Sequence, residues 1–238
     1  MNKKFLFFII ITSITVFISV RYTADLKKFY IETWYLHIKK ITPETALKKA
    51  RLLYKKKEYT ELMDFCSNMM LLYPENREFR GLAGMTSLKL GNHLAGAQLL
   101  LSSIENPLES PELFKKVIVI LFKEKHYGDI TAALSEYPVH HDTGLLYIYG
   151  VSLLSQGEVQ KGLRYLQQSE ERGNINYEVY YYLGFAHHRL GNTEKAREHL
   201  EEALRLNPLD NKTRKLLVAT YSKLKQYKKA ERLLRRGM

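Results

Sequence analysis

Histidine is the residue type in this chain with the clearest potential for metal or acid–base chemistry. Five of the eight His residues fall in two places: His140 and His141, then His187, His188 and His199. A zinc site needs three or four converging ligands, and no C-x-x-C or H-E-x-x-H spacing is present. We therefore expect no metal centre, and we expect His187, on an apolar helical stripe, to be a buried structural imidazole.

The other reactive residue types also lack the arrangement that catalysis requires. Cys66 is the single cysteine and lies on an apolar helical stripe, which favours packing over nucleophilic chemistry. Glycines at 81–84 and 91–96 lack the G-x-x-x-x-G-K-[ST] order of a phosphate-binding loop and follow no predicted strand. The carboxylates of Glu201 and Glu202 fall on a polar helix face. We predict that the chain is not an enzyme and uses no cofactor.

The stretch 177–210 shows which elements position these residues, because it has the pattern of two helices joined by a tight turn. Apolar stripes at three- and four-residue spacing lie on both sides of Leu190-Gly191-Asn192. Glycine ends a helix readily because it adopts the left-handed conformation at low cost. Small residues on the stripes let two antiparallel helices approach closely, namely Gly184, Ala196 and Ala203.

This pattern resembles the tetratricopeptide repeat, a helix–turn–helix unit of about 34 residues. The resemblance rests on Leu183-Gly184, Leu190-Gly191-Asn192, Ala196, Ala203 and Pro208, with Tyr180 where the family often has Trp. Further units in register begin near residues 43, 77, 111, 143 and 211, with a deletion of two residues between 111 and 143. The unit from Pro111 is the weakest, because Ile118 and Ile130 stand where small residues are expected.

The resemblance implies an all-α fold, a helical-hairpin solenoid of about six repeats over residues 43–238. Such a unit cannot bury its apolar side alone and stacks on its neighbours. A solenoid of this kind serves as a surface for binding other proteins. The repeat period predicts the fold class and the architecture, but it does not identify the partner.

The amino terminus predicts a membrane anchor after a short tail, residues 1–4. The uncharged run from Phe5 to Val20 would reach ~24 Å as a helix, a little less than a ~30 Å hydrocarbon core. Lys4 and Arg21 can extend their charged ends to the interface, so we predict a transmembrane signal anchor at 5–21. A cleaved signal peptide is the alternative, although no A-x-A-like cleavage site follows.

The charges that flank this run leave the orientation nearly balanced. Lys3 and Lys4 precede it, and three cations follow it: Arg21, Lys27 and Lys28. A short charged tail is difficult to translocate, whereas a long domain crosses largely regardless of its charge. We therefore expect a single-pass protein of a bacterial inner membrane, with a cytoplasmic tail and the solenoid on the periplasmic side.

Residues 22–42 join the predicted anchor to the repeats as a juxtamembrane or capping helix. One helical face carries Leu26, Phe29, Tyr30, Thr33 and Trp34. Such a helix either lies at the membrane interface or caps the first repeat, and capping is the simpler interpretation. Thr42 and Pro43 then predict the start of the first repeat helix, as N-cap and first helical residue.

The resemblance implies that the first helix of each unit lines a concave groove. A cation recurs at the end of this helix in five units, and aromatic residues lie beside it. We predict that these ten residues bind a partner, the rings through apolar area and the cations through acidic side chains. They are Tyr54, Lys55, Lys89, Phe122, Lys123, Tyr147, Tyr181, Phe185, Arg189 and Lys223. Two other interpretations stay open: cations favour helix C-termini in any case, and the rings could pack between repeats.

The net charge of +12 allows nucleic acid, an anionic membrane or an acidic protein segment as partner. The leading hypothesis is a membrane-anchored scaffold for envelope assembly that binds a protein or peptide with an acidic or amphipathic segment. The alternatives are a chaperone-like holdase for exported proteins and an RNA-binding repeat protein, the latter disfavoured by the predicted export. Arg51 and Met85 stand where some family members use Asn to clamp a carboxylate, so we do not expect that clamp. Leu233-Leu234 leaves homo-oligomerisation open.

Overall fold

The computed structural model describes residues 25–38 and 40–235. The predicted tail, 1–4, and the predicted membrane anchor, 5–21, lie outside these residues. No strand occurs in the described ranges, and from Pro43 onward the chain forms successive antiparallel helix pairs. The predicted all-α, helical-hairpin repeat fold is therefore confirmed. The chain divides into two compact units, residues 1–110 and residues 111–238, and each is described by itself.

Among the helices of residues 25–38 and 40–235, none has both the length and the apolar character that a bilayer-spanning helix needs.

The first unit contains two helix pairs behind an N-terminal segment, residues 25–38. This segment is α-helical over 25–32 and continues as a π-helix, Thr33–Ile38. The two pairs are α1 (Pro43–Lys56) with α2 (Tyr59–Leu72), and α3 (Arg77–Lys89) with α4 (His93–Ser103). As the sequence predicts, Thr42 caps α1 by accepting from the backbone N–H of Thr45, and Pro43 is the first helical residue.

The second unit contains four helix pairs. A short 3-10 turn, Val139–His141, precedes the second of them. The first helices of successive pairs contact one another along the unit, so their outer sides form one continuous face. The pairs are α5 (Pro111–Lys123) with α6 (Tyr127–Leu134), α7 (Thr143–Ser155) with α8 (Val159–Glu171), α9 (Tyr177–Arg189) with α10 (Thr193–Leu206), and α11 (Asn211–Lys223) with α12 (Tyr227–Arg235).

Close backbone approach holds three of these pairs together. A Cβ atom placed on Gly84 of α3 would lie 2.7 Å from Leu100 Cγ and 2.9 Å from the carbonyl oxygen of Gly96. Gly150 of α7 and Gly184 of α9 face α8 and α10 in the same way. The short distance between the helices thus favours glycine, because an added Cβ would meet a leucine of the partner helix at 2.6–2.8 Å and would lie close to its backbone.

The pair α5–α6 is built differently. Ile118 and Ile130 occupy the positions that carry small residues elsewhere, and both are fully buried. Bulky side chains therefore fill this interface in place of close backbone approach. The helix α6 is also the shortest in its unit, with eight residues.

The turn inside each helix pair contains one residue in the left-handed conformation, at equivalent places along the repeat. Three of these residues are glycines, Gly91, Gly157 and Gly191, and three are lysines, Lys57, Lys125 and Lys225. A Cβ atom makes this conformation about 1–2 kcal/mol less favourable, so the lysine turns are strained where the glycine turns are not.

We expect Gly84→Ala to lower the free energy of unfolding by about 1–3 kcal/mol, because the added methyl group meets Leu100 and the Gly96 carbonyl. Gly81→Ala in the same helix is the matched control. Its added Cβ would be no closer than 3.5 Å to Ser103, so better helix propensity should raise stability by up to about 1 kcal/mol. Urea unfolding of the full chain in mild detergent, followed by circular dichroism, measures both. Equal effects of the two variants would refute the close-approach account.

We expect Lys125→Gly to raise the free energy of unfolding by about 0.5–1 kcal/mol, because it removes the Cβ strain at a φ of 61°. Lys125→Ala removes the ammonium group and keeps the Cβ, so it should bring no such gain. The same urea titration compares the two. A gain of equal size in both variants would assign the effect to charge.

Candidate protein-binding site

Two of the histidines singled out by the sequence, His187 and His199, form a ring stack, in which His187 is buried and His199 half-buried. His187 is 3% exposed, and its ring stacks on that of His199 at 5.3 Å and 5°. Asn192 Nδ2 lies 3.4 Å from His187 Nδ1. Burial, together with the charges of His199 and Lys195, lowers the pKa of His187 to about 4. Within the described ranges, no three His, Cys, Asp or Glu side chains come together as ligands for a metal.

Cys66 is buried without access to solvent. Burial raises the pKa of its thiol to about 12, so the thiol stays protonated at neutral pH. The role of Cys66 in packing, as predicted, follows from this environment.

The five predicted cations are all exposed, and all lie at the ends of first helices. Lys55 is one residue from the end of α1, and the other four are the last residues of their helices: Lys89, Lys123, Arg189 and Lys223. In the part of the chain that the structure describes, none of the five forms a salt bridge. Lys115, by contrast, is neutralised by Asp142 at 2.6 Å. The helix-end cations therefore keep their charge available.

The five predicted aromatic residues are half-buried. In the second unit they belong to a connected set of rings on or beside the first helices. We call this set the aromatic row: Phe122, Tyr127, Tyr147, Tyr181, Tyr182 and Phe185.

The first part of the aromatic row joins three helix pairs. The ring of Phe122 lies 6.2 Å from that of Tyr127 and 5.8 Å from that of Tyr147, centroid to centroid. Tyr147 in turn lies 6.0 Å from Tyr182. All three contacts are edge-to-face, the arrangement that the charge distribution of an aromatic ring favours. Two of them connect neighbouring first helices, so the rings do pack between repeats.

The second part of the row runs along α9. Tyr182 lies 5.0 Å from Tyr181, and Tyr181 stacks on Phe185 at 6.3 Å. The guanidinium carbon of Arg189 lies 5.9 Å from the Phe185 ring centre, within the range of a cation–π contact. The row therefore ends at one of the unpaired cations.

Burial determines the protonation of Tyr147 and Tyr182 in the row. Burial, aided by Tyr182 and Glu178, raises the pKa of Tyr147 far above its usual value. The same effect raises the pKa of Tyr182 to about 12. The hydroxyl groups of Tyr147 and Tyr182 are therefore neutral at physiological pH and can donate a hydrogen bond to a partner.

The charge beside the row has two signs. Arg189 and Lys223 lie at the C-terminal ends of α9 and α11, whereas Glu178 and Asp210 lie at the N-terminal ends. Glu178 raises the pKa of Tyr177, and Asp210 adds to the effect of burial in raising the pKa of Tyr181. The surface thus presents cations along one side of the rings and carboxylates along the other.

The remaining predicted residues lie in the first unit. Tyr54 packs against the core there and forms an edge-to-face pair with Tyr59 at 5.7 Å. Lys55 follows it at the end of α1, and Lys89 ends α3. The pair of Tyr54 with Tyr59 thus repeats, in the first unit, the pair that Phe122 forms with Tyr127.

Two residues of the aromatic row were missed by sequence reasoning. Tyr182 follows Tyr181 directly and lies off the helical stripe that contains Tyr181 and Phe185. Tyr127 begins a second helix, whereas the predicted groove was lined by first helices alone. The repeat register could have identified it, because Tyr59 and Tyr227 hold the equivalent position in other pairs.

Comparison with known proteins supports the predicted repeat type. Residues 177–210 match the family model described as "Tetratricopeptide repeat". The chain is similar to a solved mutant of MamA, at 16% identity and a TM-score of 0.52, over 68% of this chain and 95% of that one. It is also similar to YrrB, described as a TPR protein with an unusual peptide-binding site, at 19% identity and a TM-score of 0.52, over 75% and 92%. At these identities the similarity shows the fold alone. The search of curated proteins found no match.

The buried histidine stack predicts a loss of stability in acid. The pKa of His187 is lowered on folding, and that of His199 is lowered by burial as well, so the unfolded chain binds protons that the folded chain rejects. The contribution of these histidines to the free energy of unfolding should be fully present above about pH 6.5 and should fall progressively toward about pH 4. The contribution of His187 is at most on the order of 3 kcal/mol.

The variant His187→Phe keeps an aromatic ring and removes this proton site, so its stability should fall less between about pH 6.5 and about pH 4. Urea unfolding across that range, relative to the unchanged chain, isolates the effect from carboxylates that titrate in both. His140→Phe makes the same substitution at an exposed histidine of the same unit and is the matched control. Parallel curves for His187→Phe and the unchanged chain would contradict the assignment.

Proposed function

We propose that the chain is a membrane-anchored scaffold that binds a segment of a partner protein against the aromatic row. The observation that carries this proposal is the row itself, six connected rings beside cations that no carboxylate of the described residues neutralises. A repeat fold needs apolar contact between neighbouring pairs, but it needs no exposed ring edges and no unpaired charges. Those two features favour a binding surface.

The chemistry of the row defines the partner segment. Half-buried rings offer apolar edges that already have fixed positions, so binding loses little side-chain entropy. Neutral tyrosine hydroxyls accept or donate hydrogen bonds at the same surface. Arg189 and Lys223 favour acidic side chains along one side, and Glu178 and Asp210 favour basic ones along the other. We therefore propose an apolar segment with acidic residues on the side that faces Arg189.

Two further observations support parts of this proposal. The fold is shared with YrrB, for which a peptide-binding site is described. The uncharged run from Phe5 to Val20 supports a membrane anchor, and the flanking charges favour a periplasmic solenoid in a bacterial envelope. Partner binding and anchoring together describe a scaffold that holds another envelope protein at the inner membrane.

The carboxylates beside the row argue against RNA as the ligand. Glu178 and Asp210 would repel phosphates that approach the rings, whereas RNA-binding surfaces combine stacking rings with cations. A general holdase would bind many unrelated unfolded chains and would not depend on the sign of the charge at Arg189. The charge test described next therefore separates a holdase from a scaffold.

We expect the double variant Arg189→Glu and Lys223→Glu to weaken partner binding about tenfold or more, because it replaces favourable contacts with repulsive ones. Crosslinking mass spectrometry in intact cells first identifies the partner peptide that contacts the second unit. Fluorescence anisotropy of that peptide with the purified full chain in detergent then measures the dissociation constant. Added salt should weaken binding to the unchanged chain and not to the variant.

Arg164→Glu with Arg232→Glu is the matched control, since it makes the same change in net charge at exposed positions on second helices. This control variant should leave the dissociation constant of the peptide unchanged. Phe185→Ser tests the rings and should weaken binding with little change in salt dependence. Equal binding by the unchanged chain and the charge variant, or equal losses in the variant and its control, would refute the proposed site.

A further inference from the structure

The N-terminal segment, residues 25–38, is attached to the first helix pair by one of its faces. Ile31 on this face is 3% exposed, and Tyr35 packs against the core of the first unit. The ring of Tyr35 meets that of Phe65 edge-to-face at 6.2 Å, and its carbonyl accepts from the Ile41 N–H at 2.8 Å. The segment therefore caps the first repeat, one of the two roles that its sequence allows.

The opposite face of the same helix is apolar and open to solvent. We call it the exposed N-terminal face: Leu26, Phe29, Tyr30 and Trp34. Spacing of three and four residues places Leu26, Phe29 and Tyr30 together on the α-helical part, away from Ile31. Trp34 follows in the π-helix at the edge of this face, where it also borders Tyr35. Phe29 is 68% exposed and Tyr30 66%. A cluster of large apolar side chains that are this exposed marks a surface that a membrane or another molecule covers.

We infer that the exposed N-terminal face lies in the headgroup region of an anionic lipid bilayer, so that the segment contacts the repeats on one side and the membrane on the other. This inference rests on the proposed membrane anchor. Only six peptide units separate Val20, at the end of the apolar run, from Leu26. At ~3.5 Å each, they keep Leu26 within about 21 Å of the end of that run.

The chemistry of the face fits a lipid interface better than a dry protein interface. Trp and Tyr combine an apolar ring with a polar group, and both are enriched at the boundary between hydrocarbon and water. Lys27 and Lys28 are exposed on the same helix, where each cation near an anionic surface contributes about 1 kcal/mol. Residues 21–42 carry five Lys and Arg against two carboxylates, a further match to anionic lipid.

Anchoring at two places has a structural consequence for the first unit. An apolar run alone would hold the repeats on a linker, free to rotate. Contact of Phe29 and Tyr30 with the bilayer, together with packing of Tyr35 on the repeats, would instead hold α1 and α2 at a defined orientation to the membrane. The segment then acts as a positioning element for the first unit.

Trp34 makes this inference directly measurable, because it is the only tryptophan in the chain. The full chain is reconstituted in vesicles of phosphatidylcholine and phosphatidylglycerol whose acyl chains carry bromine close to the headgroups. We expect quenching and a blue shift of Trp34 emission relative to vesicles without bromine. Phe29→Ser with Tyr30→Ser should reduce the quenching at least about twofold, because it removes much of the apolar area of the face.

Leu206→Ser with Leu209→Ser is the matched control, since it also removes two exposed apolar side chains but at a turn of the second unit. It should leave the quenching unchanged. Lys27→Glu with Lys28→Glu should reduce it in anionic vesicles and not in pure phosphatidylcholine. Circular dichroism checks that the variants remain helical. If Phe29→Ser with Tyr30→Ser unfolds the chain, the quenching of Lys27→Glu with Lys28→Glu in anionic vesicles tests the inference instead.

Flotation of the vesicles separates the inference from the proposed anchor. If the chain floats with the vesicles and bromine leaves Trp34 emission unchanged, the anchor stands and the inference is overturned. If the chain does not float, both fail. A blue shift that grows with protein concentration in detergent, without quenching in vesicles, would assign the face to a second copy of the chain and also overturn the inference.

Discussion

Close approach of two helix backbones is the constraint on which the repeat structure depends. A Cβ atom on Gly84, Gly150 or Gly184 would lie 2.6–2.8 Å from a leucine of the partner helix and close to one of its carbonyl oxygens. Each first helix is therefore pressed against its second helix by the side that carries the glycine. Its bulky residues lie on the other sides, toward the next pair and toward solvent. The pair α5–α6, which uses isoleucines, departs from this rule.

The aromatic row follows from this constraint. When first helices lie side by side, a ring on one helix can reach a ring on the next, as Phe122 reaches Tyr147. The same rings then stabilise the stack and form the surface on which a partner would bind. Phe122, Tyr147 and Tyr182 are fixed in this surface, because movement of their rings would break a contact between repeats. Rigidity of this kind favours affinity by reducing the entropy lost on binding.

The fold was predictable from sequence because periodicity, helix ends and small residues act locally. Gly191 and the Thr42-Pro43 pair marked helix boundaries through their own backbone preferences, which need no tertiary information. The candidate site was predictable only in part. Repeat position identified Tyr147 and Arg189, but Tyr182 entered the row through contact with a neighbouring helix. The carboxylates Glu178 and Asp210 were likewise assigned no role, since their nearness to the rings is a property of the packed unit.

The cations near the turns need more than local electrostatics as their explanation. The helix macrodipole favours Lys123 or Lys223 at a helix C-terminus, but it gives no reason for the absence of an ion pair in the described residues. Two residues later, Lys125 and Lys225 adopt a left-handed conformation that glycine would adopt without strain. Gly157 and Gly191 show that the same turn forms with glycine in this unit. Backbone strain that is retained at positions where glycine would be more stable clusters at functional surfaces.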